Sequence, residues 1–444
     1  MSTLLKRAKG SALDVIICRN PPPGTISILS PRFRQIRHFE LSYSHWEDIV
    51  TYSEIASGPL PLLCTLVVTP LEYAQSSAVT PPSLPFFGGA VNLRRFVFNS
   101  KKLNLLNHFV FPNLTTFELS AQQAWTSNAN ASDLFHFLKA SPMLRTVEMT
   151  IDGRITLESV PQEVVVVLPS VETFSLSVSD ASAIYKIAAR ISCPCAKHTS
   201  LSQDLPDSDL ASGLAIFPTS ASWNMISHQY ARSQAEEVAL EIKRDLYGSG
   251  ITCFLTFRSS DATTVRLASR VYETGEDDEY ASLDAMGWEL FSRACSTIQN
   301  YPSLSHVKRL HIKYRATIQH PDEAMPMSDG VGELFDSMGS LGELTIHGCD
   351  LHIILGSLLQ ELYYSEMPVS FPYIKELTIL HPLMEVEEKK CLDAIVDLAE
   401  SQYDLGIPFE RVTIRAKRLP TAMAERLREW VDVVECYEEE YEEG

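Results

Sequence analysis

The sequence of 444 residues lacks an apolar run long enough to cross a membrane. A membrane-spanning helix needs roughly 20 consecutive apolar residues, and polar residues interrupt every apolar stretch before that length. The start of the chain also lacks the apolar core and the cleavage site of a secretion signal, because Asp14 and Arg19 interrupt it. These absences predict a cytoplasmic or nuclear protein and argue against a membrane as partner.

Positive charge is scarce as well. The chain has 37 lysines and arginines against 56 aspartates and glutamates, which gives a formal net charge of −19 at pH 7. Most of such a surface repels nucleic acids and anionic membranes. We therefore expect neither as a general partner.

Local catalytic motifs are missing too. The sequence has no phosphate-binding Gly-x-x-x-x-Gly-Lys loop, no Gly-x-Gly-x-x-Gly fingerprint, no Gly-x-Ser-x-Gly elbow and no His-Glu-x-x-His pair. The nearest metal-like group is Cys193-Pro-Cys195 with His198, but structural zinc needs four ligands and no second cysteine pair stands nearby. The sequence predicts a protein that is not an enzyme and holds no cofactor or metal; an enzyme built on these three residues remains an alternative.

Cysteines are few and odd in number. The nine cysteines are scattered along the chain and do not form the even, closely spaced set of a disulfide framework. Reduced, mostly buried thiols are the expected state in an intracellular compartment.

What the sequence does contain is one phrase repeated along its whole length, in generalised form Pro-x-Leu-x-x-Leu-x-Leu. Two clear copies occur at 111–119 and 371–379. Eight weaker copies occur at 31–41, 61–68, 91–98, 142–149, 169–176, 307–312, 341–346 and 409–414. The copies recur every 21 to 35 residues within each half of the chain, a spacing typical of stacked repeats with one short strand each.

This period predicts an α/β fold, a leucine-rich-repeat-like solenoid. We expect a curved horseshoe of short parallel strands with helices and loops on the convex side. Because side chains alternate along a strand, the two last apolar residues of each copy face the core and their neighbours face outward.

Five segments are predicted along the chain. They are a helix and strand lead-in over 1–30, a repeat block over 31–191, an irregular middle with antiparallel strands over 192–299, a second repeat block over 300–435 and an acidic disordered tail over 436–444. The second block is expected to end in a capping helix over 421–434, and further helices are predicted over 132–140, 330–338 and 385–401. Alternating apolar residues over 236–273 indicate antiparallel strands, although Ser233 and Glu236 resemble a helix capping box and keep a helix over 234–247 as an alternative.

The outward strand positions of the second block form the candidate partner-binding face. Its candidate residues are Arg309, His311, Lys313, Glu343, His347, Glu376, Arg411 and Arg415, interspersed with Thr345, Thr378, Leu380 and Thr413. The third positions of successive strands form a mostly basic row, which favours an acidic segment of a protein partner. The corresponding central row of the first block is more acidic and apolar: Glu40, Val67, Val97, Glu118, Glu148 and Ser175.

A simpler interpretation of the same face is an ordinary solvent-exposed surface. In that case Arg309 and Arg411 neutralise Glu343 and Glu376 in the adjacent strands, and each such exposed pair contributes at most about 1 kcal/mol. A monomer is expected in either case.

Several phrases of this sequence resemble the large group of fungal F-box proteins whose C-terminal part is a degenerate leucine-rich-repeat-like array. They lie at 12–17, 30–38, 109–119, 140–145, 216–223 and 300–310 and together span almost the whole chain. The resemblance implies the substrate-binding portion of a ubiquitin-ligase adaptor, whose F-box docks on the Skp-type adaptor of a cullin ligase.

The start of the chain resembles the segment that ordinarily follows the F-box. An F-box is therefore not expected within this sequence, and a Skp-type adaptor is expected as a partner only where an F-box is supplied. The alternative is a free-standing leucine-rich-repeat-like interaction protein with no role in ubiquitin transfer.

Overall fold

The structure is a computed structural model that forms two compact units, Met1–Gln203 and Asp204–Gly444. It describes residues 11–17, 25–43, 60–70, 90–100, 103–122, 129–152, 155–156, 166–179, 181–206, 217–218, 234–244, 250–272, 280–301, 304–315, 334–335, 337–348, 374–380, 385–416 and 421–438.

The first unit is built on parallel strands. They are β1 (Leu13–Ile17), β2 (Ile36–Tyr43), β3 (Thr65–Pro70), β4 (Arg95–Ser100), β5 (Thr116–Gln122), β6 (Ala129–Asn130), β7 (Thr146–Asp152), β8 (Ile155–Thr156), β9 (Val166–Val167), β10 (Thr173–Val178), β11 (Ile191–Ser192) and β12 (His198–Pro206). The main sheet has the order β1-β2-β3-β4-β5-β7-β10-β12, and every one of these pairs is parallel. The short strands pair as β6 with β8 and β9 with β11.

A four-residue turn before many of the parallel strands explains the repeated phrase. In the copy at 111–119, Phe111 and Leu114 are buried, and the Leu114 N–H donates to the Phe111 carbonyl over 3.1 Å. Pro112 between them suits the second position of such a turn, where its fixed φ is favourable and no N–H is needed. The N–H groups of Thr115 and Thr116 then donate to the Arg94 carbonyl of the preceding repeat, so the turn sets the register of the strand.

Aromatic side chains fill the core of this unit. The Phe96 ring on β4 contacts the rings of Phe98, Phe109, Phe111, Phe117 and Phe137, with centroids 4.9–6.0 Å apart. Phe137 belongs to a helix, which shows how the returns between strands complete the core.

The returns of the first unit hold short helices. They are α1 (Thr25–Leu29), α2 (Ala131–Lys139) and α3 (Ala181–Ala188), with 3-10 segments at Ser30–Gln35 and Leu103–His108. The helix predicted over 132–140 is confirmed, and Leu134, Phe135 and Leu138 on α2 are buried as its spacing indicated.

The second unit combines antiparallel and parallel strands. They are β13 (Ala235–Arg244), β14 (Gly250–Ser259), β15 (Thr264–Tyr272), β16 (Arg309–Arg315), β17 (Glu343–Gly348), β18 (Glu376–Leu380), β19 (Arg411–Ala416) and β20 (Val433–Glu438). Their order is β15-β14-β13-β16-β17-β18-β19-β20. β14 is antiparallel to both β13 and β15, whereas all pairs from β13–β16 onward are parallel.

The antiparallel strands predicted over 236–273 are therefore confirmed, and the alternative of a helix over 234–247 is wrong for the strand at 235–244. The helices of this unit are α4 (Tyr280–Gln299), α5 (Glu385–Asp404) and α6 (Thr421–Leu427), with a 3-10 turn at Leu304–His306. The helix predicted over 385–401 is confirmed as α5, while of the segment 330–338 only part is described, with Leu334 and Phe335 helical and buried.

The predicted capping helix over 421–434 is wrong in its second half. The helix ends at Leu427, and Val433–Glu438 forms β20, which pairs in parallel with β19. Val431, Val434 and Cys436 repeat the apolar spacing of the preceding strands. Val431 and Val434 also satisfy a helical spacing, but sheet pairing takes precedence over it. Residues 436–438, predicted as disordered tail, lie in this strand, whereas 439–444 lie outside the described residues.

The parallel strands of the first unit begin before residue 31 and end after residue 191. β1 pairs with β2, and β12 pairs with β10 through the register of Thr173 with His198. The strand order and register of each unit confirm the predicted fold class, an α/β leucine-rich-repeat-like solenoid with irregular antiparallel strands in the middle, whereas the five segment boundaries stay a prediction. No helix in the described ranges is long and apolar enough to cross a bilayer.

Candidate functional site

The outward positions of β16–β19 lie in three straight rows. The first row is Arg309, Glu343, Glu376 and Arg411, the second is His311, Thr345, Thr378 and Thr413, and the third is Lys313, His347, Leu380 and Arg415. Neighbouring strands of a sheet lie about 4.8 Å apart, so the side chains of one row are adjacent. The alignment is the one that the sequence predicted, while the binding role of these eight candidate residues stays a prediction.

The charged side chains of the first row do not form the ion pairs that an ordinary solvent-exposed surface would predict. Within the described ranges, no ion pair of 4.0 Å or less joins Arg309 to Glu343 or Arg411 to Glu376. Glu343 and Glu376 are direct register partners, so two like charges stand side by side. Arg309 instead lies 3.8 Å from Glu237, on a strand that the sequence did not place beside this face.

Glu237 on β13 is the most buried charged group of the face. Its side chain is 11% exposed, and its carboxylate lies 2.5 Å from the Arg258 guanidinium and 3.9 Å from His311 Nε2. Burial lowers the pKa of His311, and the nearby Glu237 carboxylate offsets part of that effect. Glu237 therefore holds the cationic side chains of β14 and β16 in place.

The third row also extends onto the neighbouring strands. Lys313 Nζ lies 3.2 Å from the Glu241 carboxylate on β13, and the Arg415 guanidinium lies 5.4 Å from the centre of the Tyr437 ring on β20. The repeated sequence phrase does not place Glu237, Glu241 or Tyr437 on the face. The alternation that turns Glu237 and Glu241 outward was visible over 236–242, but the parallel pairing of β13 with β16 has no local sequence signal.

The first unit also has its predicted central row in register. Glu40, Val67, Val97, Glu118, Glu148 and Ser175 align across β2, β3, β4, β5, β7 and β10. Arg95 donates two hydrogen bonds to the Glu118 carboxylate, over 2.8 and 3.2 Å, and this pairing raises the arginine pKa. The adjacent Glu148 keeps this row acidic.

Cys193, Cys195 and His198 do not converge on one point. Cys193 is buried and Cys195 is exposed, because Cys193–Ala196 is another copy of the repeat turn, with a 3.0 Å hydrogen bond from the Ala196 N–H to the Cys193 carbonyl. Burial raises the pKa of the Cys193 thiol, which makes its metal-binding thiolate form unfavourable. His198 lies exposed at the first outward position of β12.

The described part of the chain holds no group of three or more His, Cys, Asp or Glu side chains that could bind a metal ion. Six cysteines whose side chains the structure describes are unbridged thiols: Cys64, Cys193, Cys195, Cys253, Cys295 and Cys436. Burial raises the pKa of Cys295 to about 12 and raises that of Cys253 as well, so both thiols stay protonated and unreactive.

No family model and no curated protein matches this chain. Among solved structures, it is similar to the leucine-rich repeat-containing protein LegL7 from Legionella pneumophila, at 11% identity, with 78% of this chain and 84% of that chain covered and a TM-score of 0.27. A likeness at that score supports no further conclusion. The fold assignment rests on the strand order and register within each unit.

Proposed function

We propose that this chain is a non-catalytic protein-recognition module. The partner binds the outward face of β16–β19, through Arg309, His311, Lys313, Glu343, His347, Glu376, Arg411 and Arg415. The observation that carries the proposal is the register, which aligns these side chains into three adjacent rows. A face of aligned, solvent-facing charges offers a partner many polar contacts at fixed spacing.

The mixed charge of the face favours a partner that carries acidic side chains. The third row contributes Lys313, His347 and Arg415, and cations in such a row form charge-assisted hydrogen bonds with carboxylates. The two adjacent glutamates of the first row, Glu343 and Glu376, favour a basic group of the same partner at that point.

Site-specific photo-crosslinking tests this proposal. A benzoylphenylalanine at Thr345, in the middle of the second row, is expected to capture a specific protein from cells. The same residue at Glu400, on the exposed side of α5, is the control and is expected to capture none. Equal capture at both positions, or at neither, would contradict the assignment of the face.

A finer proposal assigns the chain to the substrate-binding part of an F-box ubiquitin-ligase adaptor. Its support is the set of sequence phrases that resemble fungal F-box proteins, together with a repeat fold suited to holding a substrate. The alternative is a free-standing interaction protein that binds the same partner without any role in ubiquitin transfer.

A titration of the purified chain against a Skp-type adaptor separates the two. An F-box protein serves as the positive control, and circular dichroism verifies that the chain is folded. Tight binding favours the adaptor assignment for this chain as it stands. Absence of binding from folded protein favours the free-standing module and directs attention to the crosslinked partner.

A further inference from the structure

Two cations converge on one aromatic ring beside the predicted face. Phe254 lies at a half-buried, outward position of β14, where it is the register partner of Glu241 on β13 and of Ala268 on β15. Lys243 Nζ lies 4.7 Å from the centre of this ring, and Arg266 Cζ lies 4.1 Å from it. Contacts of this kind are attractive because the ring face carries partial negative charge.

Several other cations on or next to these strands are already paired with carboxylates. Arg258 binds Glu237, Lys313 binds Glu241 and Lys308 binds Glu236. Lys243 and Arg266 differ: both are exposed, and neither has a carboxylate or other hydrogen-bond acceptor within the described ranges. The ring holds two charged donors in place while their hydrogen-bonding capacity remains available.

The surrounding strands give this site a positive local charge. β13, β14, β15 and β16 together contain eight lysines and arginines but three glutamates and no aspartate, on a chain whose net charge is −19. Such a concentration of one sign attracts anions to this part of the surface.

The spacing of the two cations indicates which anion fits. Both lie within 5 Å of the same ring centre, so their charges are at most about 9 Å apart and repel each other. In an extended peptide, side chains at alternate positions lie on one face about 6.5 Å apart. Two carboxylates at that spacing can each meet one cation, which removes the repulsion.

We infer that Lys243, Phe254 and Arg266 form a docking centre for an acidic segment of a partner protein, bound in extended conformation with carboxylates at alternate positions. The inference rests on the proposed function and adds a site that the sequence analysis did not include. The same strands already pair Arg258 and Lys313 with carboxylates, which is why carboxylate side chains are chosen here over phosphates. Nucleic acid is disfavoured because Glu237 and Glu241 flank the site.

The test is a fluorescence anisotropy titration with the full chain and a labelled ten-residue peptide that carries four glutamates at alternate positions, with serine elsewhere. The Lys243→Met and Arg266→Met variants keep the apolar stems and remove the charges, and each is expected to weaken binding about five-fold. The double variant is expected to weaken binding about 25-fold or less, since the two charges act on one peptide. Arg426→Met, an equal loss of charge on the exposed face of α6, is expected to leave binding within about two-fold.

Peptide controls test the spacing and the charge separately. Replacement of the four glutamates by glutamine is expected to abolish binding, and placing them in one contiguous block is expected to weaken it. Tighter binding of a phosphoserine peptide or of single-stranded DNA, lost in the same variants, would overturn the choice of carboxylates. Self-association of the chain that the same substitutions abolish would assign the site to a second copy and would also overturn the inference.

The outcome is distinguishable from failure of the proposed function. In one outcome, the double variant binds the peptide as tightly as the wild-type chain does, while replacement of Arg309, Arg411 and Arg415 together by methionine abolishes peptide binding. That result would refute the docking centre and leave the recognition face standing. If the wild-type chain does not bind the peptide at all, the docking centre is refuted, and the crosslinking experiment at Thr345 decides the proposed function independently.

Discussion

His311 is a titratable residue of the face whose environment favours its neutral form. It is more than half buried beside the Glu237 carboxylate, and Arg258 and Arg309 lie nearby and oppose a further positive charge. Burial is the largest cause and holds the pKa of the folded state below the ordinary value of about 6.5. Below that value the unfolded chain takes up this proton more readily than the folded chain does.

The free energy of unfolding is therefore expected to fall as the pH drops from about 7.5 to about 5.5, in part because of His311. The His311→Gln variant cannot titrate there and should lose less stability over the same interval. Urea denaturation at several pH values measures the two slopes, with His306→Gln, at an exposed position, as control. Equal pH slopes for His311→Gln and the wild type would contradict this assignment.

At the scale of elements, the last strand is the clearest departure from the sequence prediction. β20 pairs in parallel with β19, and the Val433 N–H donates to the Glu410 carbonyl over 3.2 Å. Because backbone groups alternate along a strand, the N–H of Glu435 also points toward β19. The N–H of Cys436 points toward the edge that carries no further strand among the described residues.

This geometry predicts different costs for two proline substitutions. Glu435→Pro removes an N–H from the β19–β20 ladder and is expected to lower the free energy of unfolding by about 1–3 kcal/mol. Cys436→Pro, at the open edge, is expected to cost clearly less. Hydrogen exchange of the 411–416 segment together with urea denaturation measures both, and a larger effect of Cys436→Pro would refute the register of β20.

Most repeat strands could be predicted from the sequence, because each carries its own local signal. Leu114, Phe117 and Leu119 have the spacing that a turn followed by one inward-facing strand requires, and all three are buried. The terminal strand was missed because Val431 and Val434 satisfy both strand and helix spacing, and only the open edge of β19 selects the strand. The first strand was predicted only as part of a helix and strand lead-in and not as a repeat, because Leu13–Ile17 lacks the preceding Pro-x-Leu turn.

At the scale of the whole molecule, the stability of each repeat depends mainly on its contacts with the adjacent repeats. In a stacked array each repeat contacts mainly the next one, so damage to one repeat propagates only locally. Leu119 on β5 and Leu377 on β18 are 3% and 0% exposed, whereas Arg415 is exposed.

Leu119→Asp and Leu377→Asp are each expected to lower the free energy of unfolding by about 3–5 kcal/mol, because each buries an unpaired carboxylate. Arg415→Ala is expected to change it by less than about 1 kcal/mol. Hydrogen exchange should rise in β4 and β7 for Leu119→Asp and in β17 and β19 for Leu377→Asp. Equal destabilisation by all three substitutions would contradict the repeat register.

The sequence by itself determined the fold class and the register of the outward rows. Both depend on local periodicity: a turn, an inward apolar pair and a spacing that each copy repeats. This is why Lys313, His347, Leu380 and Arg415 could be aligned before any strand was seen to pair.

Only the tertiary structure decided which strands flank that face. The antiparallel pairing of β14 and β15 places Arg266 beside Phe254, and the pairing of β13 with β14 places Lys243 there. A register shift of one residue would move each of these side chains to the other side of the sheet. Such a convergence depends on pairing between distant segments, for which the local sequence carries no signal.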